Sequence, residues 1–258
     1  MAITMINQKF TSRQLIHLHW MEICTEWKKT IRQPSFTIPT LMFPIMFYLF
    51  FGIIFSQNQQ TSDYLLITYG VFGIIGPALF AFGVGIAIER NQGWFDLKSV
   101  SPMPISALIL ARIVVAMLFG VIIIIGLFVV AYSLGGVRLE AWQWSNLMAL
   151  LLIGSLPFCV FGLALGLILK ANGAPAIVNM IYLPIAFLSG LWFPITLLPS
   201  FMQQLANAFP PYHLSQLALK VIDADVGASS WLHAGSLSAF TLICFGIIFW
   251  AYNRKESD

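Results

Sequence analysis

The sequence predicts an all-α membrane protein with six transmembrane helices, an N-terminal amphipathic helix in the membrane interface, and extracellular re-entrant helices before the last span. Of its 258 residues, 59% are hydrophobic and only 9% are charged, against about 25% charged residues in a typical soluble domain. The mean hydropathy is +0.86. A fold in water could not bury that much apolar surface, so lipid must be the solvent.

Apolar runs of about 20 residues, long enough to cross roughly 30 Å of hydrocarbon, predict the spans. The six runs are residues 38–55, 65–88, 105–132, 145–169, 175–193 and 231–252. They form one transmembrane domain, residues 38–252, after a cytoplasmic segment (1–37) and before a cytoplasmic tail (253–258). The third run exceeds the hydrocarbon thickness. We therefore expect its core to begin near Ile113 and Arg112 to snorkel to the headgroups, with a functional charge inside the membrane as the alternative.

The lysines and arginines are distributed unevenly between the two sides of the predicted bundle. If the N-terminus is cytoplasmic, eleven of the thirteen lie inside, and only Arg138 and Lys220 lie outside. The positive-inside rule therefore places both termini in the cytoplasm. The basic residues form no stripe that could follow a phosphate backbone, which argues against nucleic-acid binding.

An apolar stripe precedes the first span. Its members recur at steps of four, three, four and four: Ile16, Trp20, Ile23, Trp27 and Ile31. This spacing predicts an amphipathic helix that lies in the cytoplasmic interface with its tryptophans at headgroup depth. A helix packed on a soluble partner is a compatible alternative.

The segment between the fifth and sixth spans, residues 194–230, is too apolar for free exposure to water. Four prolines, at positions 194, 199, 210 and 211, prevent a continuous span. Short helices that dip into the outer membrane face satisfy both constraints if protein shelters their non-helical backbone. The alternative is an amphipathic helix lying flat on the outer surface.

The sequence lacks the motifs that most membrane enzymes and coupled transporters need. It contains no glycine-rich phosphate loop, so any ATP-driven step must come from another chain. All ten acidic residues lie outside the spans or at their edges, which argues against an intramembrane hydrolase and against a proton- or sodium-coupled transporter. The three cysteines predict no disulfide, and the four histidines predict no metal site. We therefore assign no catalytic, cofactor-binding or metal-binding residue.

Small residues are concentrated in two spans. The second span holds five glycines and Pro77, and the fourth contains Gly162-x-x-x-Gly166. Close packing of helices explains this pattern. Alternatively, the second helix bends at Pro77 when a gate opens.

The loop after the second span combines charges with large apolar side chains. It reads Glu89-Arg90-Asn91-Gln92-Gly93-Trp94-Phe95-Asp96-Leu97-Lys98, followed by Ser101-Pro102-Met103-Pro104. Such a surface is suited to docking into a groove on a soluble partner. The alternative is an ordinary interfacial turn.

The order of these features resembles ABC-2-type permeases, the membrane subunits of bacterial ABC exporters. The matching features are the interfacial N-terminal helix, the E-R-x-x-G loop closed by S-P-x-P, and the segment after the fifth span. In that segment Ser189-Gly190-Leu191-Trp192-Phe193-Pro194 is followed by Leu198-Pro199 and by Pro210-Pro211-Tyr212. The resemblance covers nearly the whole chain.

The resemblance implies a multi-pass protein of the bacterial cytoplasmic (inner) membrane that dimerises and binds two copies of a separate ABC ATPase subunit. It also implies three functional regions. The first is a connecting helix with Trp20, Ile23, Trp27 and Ile31. The second is an ATPase-coupling loop with Glu89, Arg90, Gly93, Trp94, Phe95, Asp96 and Leu97. The third is an extracellular re-entrant gate with Phe193, Pro194, Pro199, Pro210, Pro211 and Tyr212.

The predicted cargo is hydrophobic or amphiphilic, such as a drug, an antibiotic, a lipid or a lipid-linked glycan, because the spans offer no buried charge for an ionic substrate. The rival interpretation is a membrane protein that transports nothing, either an assembly factor or an intramembrane enzyme.

Overall fold

The structure, a computed structural model, describes residues 11–56, 58–94 and 104–255. Within those ranges the chain forms helices and no β-strand. The α-helices are α1 (Ser12–Ile31), α2 (Pro34–Phe47), α3 (Gln59–Leu79), α4 (Gly85–Asn91), α5 (Ile105–Ser133), α6 (Ala141–Gly154), α7 (Leu156–Ile168), α8 (Ala174–Leu188), α9 (Ser200–Ala206), α10 (Pro210–Leu219) and α11 (Ser230–Lys255).

Several helices join end to end. A π-helical segment, Tyr48–Ile54, extends α2, and another, Phe80–Val84, joins α3 to α4. Only Ser155 separates α6 from α7. Proline at the second position of α7 is compatible with a helix start, since the first N–H groups of a helix have no partner within it.

Within the part of the chain that the structure describes, five helical stretches are long and apolar enough to cross a membrane. They are Pro34–Ile54, Gln59–Asn91, Ser106–Ser133, Ala141–Ile168 and Ser230–Ala251. They coincide with the first, second, third, fourth and sixth predicted spans. The fifth predicted span, residues 175–193, is helical only over the 15 residues of α8. Alone, α8 rises about 22 Å, less than the hydrocarbon thickness.

The second span lies at the centre of the bundle. Most side chains of α3 are buried, and the continuous stretch α3–α4 packs against α2, α5, α7, α8 and α10. In contrast, α11 packs mainly on α7 and α10 and exposes large apolar side chains such as Leu242 and Phe249. A lipid solvent tolerates such exposure.

The glycine pair of the fourth predicted span confirms the close-packing interpretation. A Cβ on Gly162 would lie 2.8 Å from the Ala78 carbonyl oxygen and 2.9 Å from the Phe82 Cβ, and one on Gly166 would lie 2.6 Å from the Phe82 carbonyl oxygen. Helix α7 therefore approaches the second span so closely that only glycine fits at these positions.

Gly162→Ala should destabilise the protein although alanine is the better helix former. Gly246 on α11, where an added Cβ meets nothing within 4 Å, provides the matched control. Overpacking at Gly162 should cost about 1–3 kcal/mol and lower the apparent melting temperature by several degrees. Gly246→Ala should be neutral or slightly stabilising. Equal melting temperatures for the two variants would contradict the close contact.

Candidate functional site

Four charged side chains from three helices meet at one end of the bundle. Glu26 and Lys29 come from α1, Glu89 from α4 and Arg112 from α5. We call these four side chains the ion cluster, and the end of the bundle that holds them the α1 end. Arg112 is only 1% exposed, and Glu26 and Glu89 are each 7% exposed.

Arg112 is the centre of the ion cluster. Its Nη2 lies 2.5 Å from Glu89 Oε2, and its Nε lies 3.6 Å from Glu26 Oε1. Lys29 Nζ lies 3.3 Å from Glu26 Oε2 and also pairs with Glu89. Among the described residues, two positive and two negative charges thus lie together, which lowers the cost of burying them.

The second span has room and a hydrogen-bond acceptor for the Arg112 guanidinium. Arg112 Nη1 donates to the Ala81 carbonyl oxygen at 2.8 Å, and Ala81 belongs to the π-helical segment between α3 and α4. Such segments interrupt the regular hydrogen-bond ladder and often mark functional sites. A Cβ on Gly85 would lie 3.1 Å from Arg112 Nη1, so a larger residue there would crowd the arginine.

The expectation that Arg112 snorkels to the headgroups is wrong. Its side chain points into the bundle, where two carboxylates lie beside it as ion-pair partners and the Ala81 carbonyl oxygen accepts a hydrogen bond from it. The sequence showed that Arg112 stood near the start of an apolar run. It gave no signal for the partners, because Glu26 and Glu89 are remote in sequence and one sequence contains no covariation.

Arg90 ties the end of the second span to the end of the fourth. Its Nη1 donates to the Gly166 carbonyl oxygen at 2.9 Å and also to that of Leu167. Both carbonyls belong to the last turn of α7, where backbone acceptors have no partner within the helix and the helix dipole favours a cation. The two predicted loop residues Glu89 and Arg90 are thus both anchored in the bundle.

The second span ends in a turn at Gly93. This residue has φ = +73°, and its N–H donates to the Arg90 carbonyl oxygen at 3.2 Å. Glycine adopts this left-handed conformation readily just after a helix end. Trp94, the next residue, is 52% exposed. The predicted loop residues Phe95, Asp96 and Leu97 lie outside the described residues.

Helix α1 has one face on the bundle and one face exposed. The Trp27 ring packs edge-on against Phe119 of α5, with ring centroids 5.7 Å apart. Ile23 is half-buried, whereas Trp20 and Ile31 are exposed. The residues of the predicted stripe are therefore not all buried on one face of α1. Trp27 packs on α5 and Ile23 is partly covered, whereas Ile16, Trp20 and Ile31 are open to lipid or to a partner.

The residues predicted for the outer gate are divided between a surface loop and a buried helix. Phe193 is exposed and packs edge-on against Phe51 at 5.6 Å. Pro194 precedes the short turn Ile195–Leu197, and Pro199 precedes α9.

The remaining predicted gate residues begin a buried helix. Pro210 and Pro211 are the first two residues of α10, where proline suits a helix start. Tyr212 is buried with Ile195 and Ala206. The structure thus brings the first turn after Pro194 and the start of α10 together around Tyr212.

Helix α10 is inserted among the long helices. Pro210 and Pro211 line a 50 Å³ cavity together with Ile75 of α3 and Phe240 of α11. Leu214 lies so close to Gly154 that a Cβ there would be 2.3 Å from its Cδ1. All three partner residues lie well inside their spans, so α10 starts deep within the bundle.

A groove of 290 Å³ opens on the face formed by α2, the second span and α8. Its walls are largely aromatic and include Phe36, Phe43, Phe72 and Tyr182, and Asn179 supplies a polar group. Such a mixture fits an amphiphilic molecule better than an ionic one.

These features define a class: a multi-pass helical membrane protein whose N-terminal helix and second-span loop are locked together by a buried ion cluster. A comparison of sequences identifies the family. The family described as "ABC-2 type transporter" matches residues 19–222. The chain belongs to this family and is the membrane permease of an ABC transporter.

Two curated relatives are similar over most of their length. The "Putative transport permease YvfS" of Bacillus subtilis (strain 168) is 26% identical over 222 residues, covering 84% of this chain and 90% of the relative. The "Inner membrane transport permease YadH" of Escherichia coli (strain K12) is 24% identical over 250 residues, covering 91% of this chain and 97% of the relative.

Arg112→Met should strongly destabilise the permease, because it leaves two buried carboxylates without their central cation. Loss of one partner from a buried ion pair costs about 3–5 kcal/mol. Lys29→Met should cost about 1 kcal/mol or less, since the Lys29 side chain is 42% exposed. The measurement is thermal unfolding of each purified variant, with Arg13→Met, at an exposed position of α1, as the control. A similar small effect for all three variants would contradict the central position of Arg112.

Proposed function

We propose that this chain is the membrane subunit of an ATP-driven exporter. Two copies form the translocation pathway, and two copies of a separate ABC ATPase supply the energy. The cargo is hydrophobic or amphiphilic. The observation that carries this proposal is the anchored loop: Glu89 and Arg90 are fixed in the bundle, and directly after them the chain presents an exposed tryptophan.

The ion cluster supports the coupling part of the proposal. A force on the loop reaches the spans only if the loop is attached rigidly at its base. Glu89 attaches it to α1 and α5, and Arg90 attaches it to α7. The base of the loop therefore contacts three other helices through ionic or charge-assisted bonds, which are stronger than neutral hydrogen bonds.

The contacts of α8 support six spans. Val178 faces Gly83, the Tyr182 hydroxyl donates to the Phe72 carbonyl oxygen at 2.6 Å, and the Tyr64 hydroxyl donates to that of Gly190 at 3.2 Å. Helix α8 and the two residues after it thus run alongside the second span from residue 83 to residue 64. That distance is about 30 Å, the thickness of the hydrocarbon.

The depth of α10 supports the re-entrant interpretation. The helix has ten residues and rises about 15 Å, half of the hydrocarbon thickness. It begins beside mid-span side chains. It ends near the start of α6, where Gln143 Nε2 donates to the Val221 carbonyl oxygen at 3.0 Å. We infer that α9 and α10 enter the outer leaflet and return, as part of a gate.

The distribution of basic residues supports cytoplasmic termini and an α1 end that faces the ATPase. The relative YadH is named an inner membrane permease, which supports the inner membrane as the location of this chain. The aromatic groove beside α2 and α8 supports a cargo path on that face. Two such faces, brought together in a dimer, would enclose a larger pathway than six helices can.

Cysteine labelling tests the proposed topology. In a background without the native cysteines, cysteine at Gln60 or Ser229 should react with an impermeant thiol reagent added to intact cells, and cysteine at Asn172 should not. All three positions are exposed in the structure, so burial does not confound the comparison. Labelling at Asn172 from outside would refute the six-span arrangement.

Trp94→Ala should weaken ATPase binding more than Lys98→Ala. Truncation of a docked aromatic residue commonly costs about 2 kcal/mol or more, roughly a 30-fold change in Kd, whereas rim charges cost less. The measurement is the amount of ATPase that copurifies with the tagged chain at matched membrane abundance. Phe95→Ala should behave like Trp94→Ala.

The control for this experiment is Trp142→Ala. Trp142 at the start of α6 is also 52% exposed, but it lies at the end of the bundle away from the ion cluster. It should not affect copurification. Normal ATPase retention in a Trp94→Ala/Phe95→Ala double variant would show that the loop is only a turn.

A further inference from the structure

A pair of buried histidines joins the inserted helix α10 to the last span. His213 Nδ1 lies 2.9 Å from His233 Nδ1, and His213 Nε2 lies 2.9 Å from the Asn207 carbonyl oxygen. His213 is 4% exposed and His233 is 1% exposed. This is a direct polar bond between α10, which lies in the proposed gate, and α11, which lies outside it.

The hydrogen-bond partners fix the tautomers of the pair. A carbonyl oxygen can only accept, so His213 Nε2 carries a proton and donates to Asn207. In the neutral ring His213 Nδ1 then holds a lone pair and accepts from the Nδ1–H of His233. This leaves the lone pair on His233 Nε2, a buried atom for which the described residues provide no hydrogen-bond partner.

A hydrogen bond explains the short distance better than a metal ion does. Within the described ranges, no group of three or more His, Cys, Asp or Glu side chains is arranged to hold a metal, and a structural metal site normally needs four protein ligands.

We propose that the His213–His233 pair is a proton-operated latch, which holds α10 against α11 at neutral pH and releases it at acidic pH. The first added proton enters at His233 Nε2. The resulting imidazolium still donates through Nδ1, so the bond persists. A second proton must enter at His213 Nδ1. Both Nδ1 atoms then carry hydrogen, the bond is lost, and two positive rings face each other.

The surroundings favour the neutral pair. Burial lowers the pKa of His213 below its ordinary value of 6.5, although its bond to Asn207 opposes this effect. Because the latched form binds protons less readily than the released form, the latch is stable above about pH 6.5. It weakens as the pH falls through the lowered pKa of His213.

Two other ionisable groups near the pair, Tyr212 and Asp225, have pKa values shifted away from the range between pH 5.0 and 7.5. Tyr212 packs edge-on against both rings, and burial raises the pKa of its hydroxyl. Lys220 pairs with Asp225 at 3.1 Å. Although burial alone would raise the pKa of the Asp225 carboxyl, the N–H of Gly227 and the ammonium group of Lys220 lower it. Acidification from pH 7.5 to 5.0 therefore acts on the histidines.

This inference adds regulation by protons to the proposed gate. The role of the latch in a gate on the outer side rests on the proposed function, whereas the contact between α10 and α11 does not. The latch itself is tested on the full-length chain in lipid nanodiscs, where both sides see the same buffer. Its failure would leave ATPase coupling untouched, and the reverse also holds.

The test is amide hydrogen exchange of residues 210–222 at pH 7.5 and 5.0, with each rate divided by the intrinsic rate at that pH. In the unmodified chain, protection of this segment should fall about tenfold or more at pH 5.0. The His213→Gln/His233→Gln variant, whose side chains stay neutral, should show equal protection at the two pH values. His17→Gln/His19→Gln, which alters the two histidines of α1, should keep the full pH response.

Two results would overturn the latch. One is equal protection of residues 210–222 at both pH values in the unmodified chain. This measurement does not depend on whether a variant folds. The other is a pH response that persists in the His213→Gln/His233→Gln variant.

Discussion

The constraint on which the α1 end depends is the burial of the Arg112 guanidinium. An arginine inside a helix bundle needs counter-charges and acceptors within reach, since an unpaired buried cation is far too costly. Glu26, Glu89 and the Ala81 carbonyl meet this need. They belong to the N-terminal helix, the end of the second span and its π-helical segment. One buried charge on α5 therefore decides how α1 and the second span meet α5.

Close helix packing also positions the base of the loop after the second span. Glycines let α7 approach the second span closely, so its last carbonyls come within reach of Arg90. The span ends in a left-handed glycine, Gly93, which is followed by the exposed Trp94. At the other end, α10 begins beside mid-span side chains and is joined to α11 by a histidine pair. The second span thus contacts the ion cluster at one end of the bundle and α10 towards the other. A displacement of this span would therefore act on both regions.

Much of this arrangement could be predicted from the sequence, because hydropathy, proline placement and glycine spacing are local signals. They predicted six spans, of which five are long apolar helices in the described residues, and they also predicted helix α1 and short helices before α11. The length of α8 was overestimated, because the apolar run continues to Phe193 after the helix has ended. The partners of Arg112 and the His213–His233 contact could not be predicted, because each joins residues that are distant in sequence and depends on how helices pack.

The most direct test of the account separates the stability of the ion cluster from its role in coupling. The neutral variant Glu26→Gln/Glu89→Gln/Arg112→Met removes all the buried charges and should regain much of the stability that Arg112→Met alone loses. The measurement is the thiol-labelling rate of a cysteine at the exposed position Gln204 of α9, with the bound ATPase given ATP or ADP. In the wild-type cluster, ATP should change this rate. In the neutral variant, ATP should be hydrolysed without changing it. An equal ATP-dependent change in both proteins would contradict the claim that the cluster transmits the force.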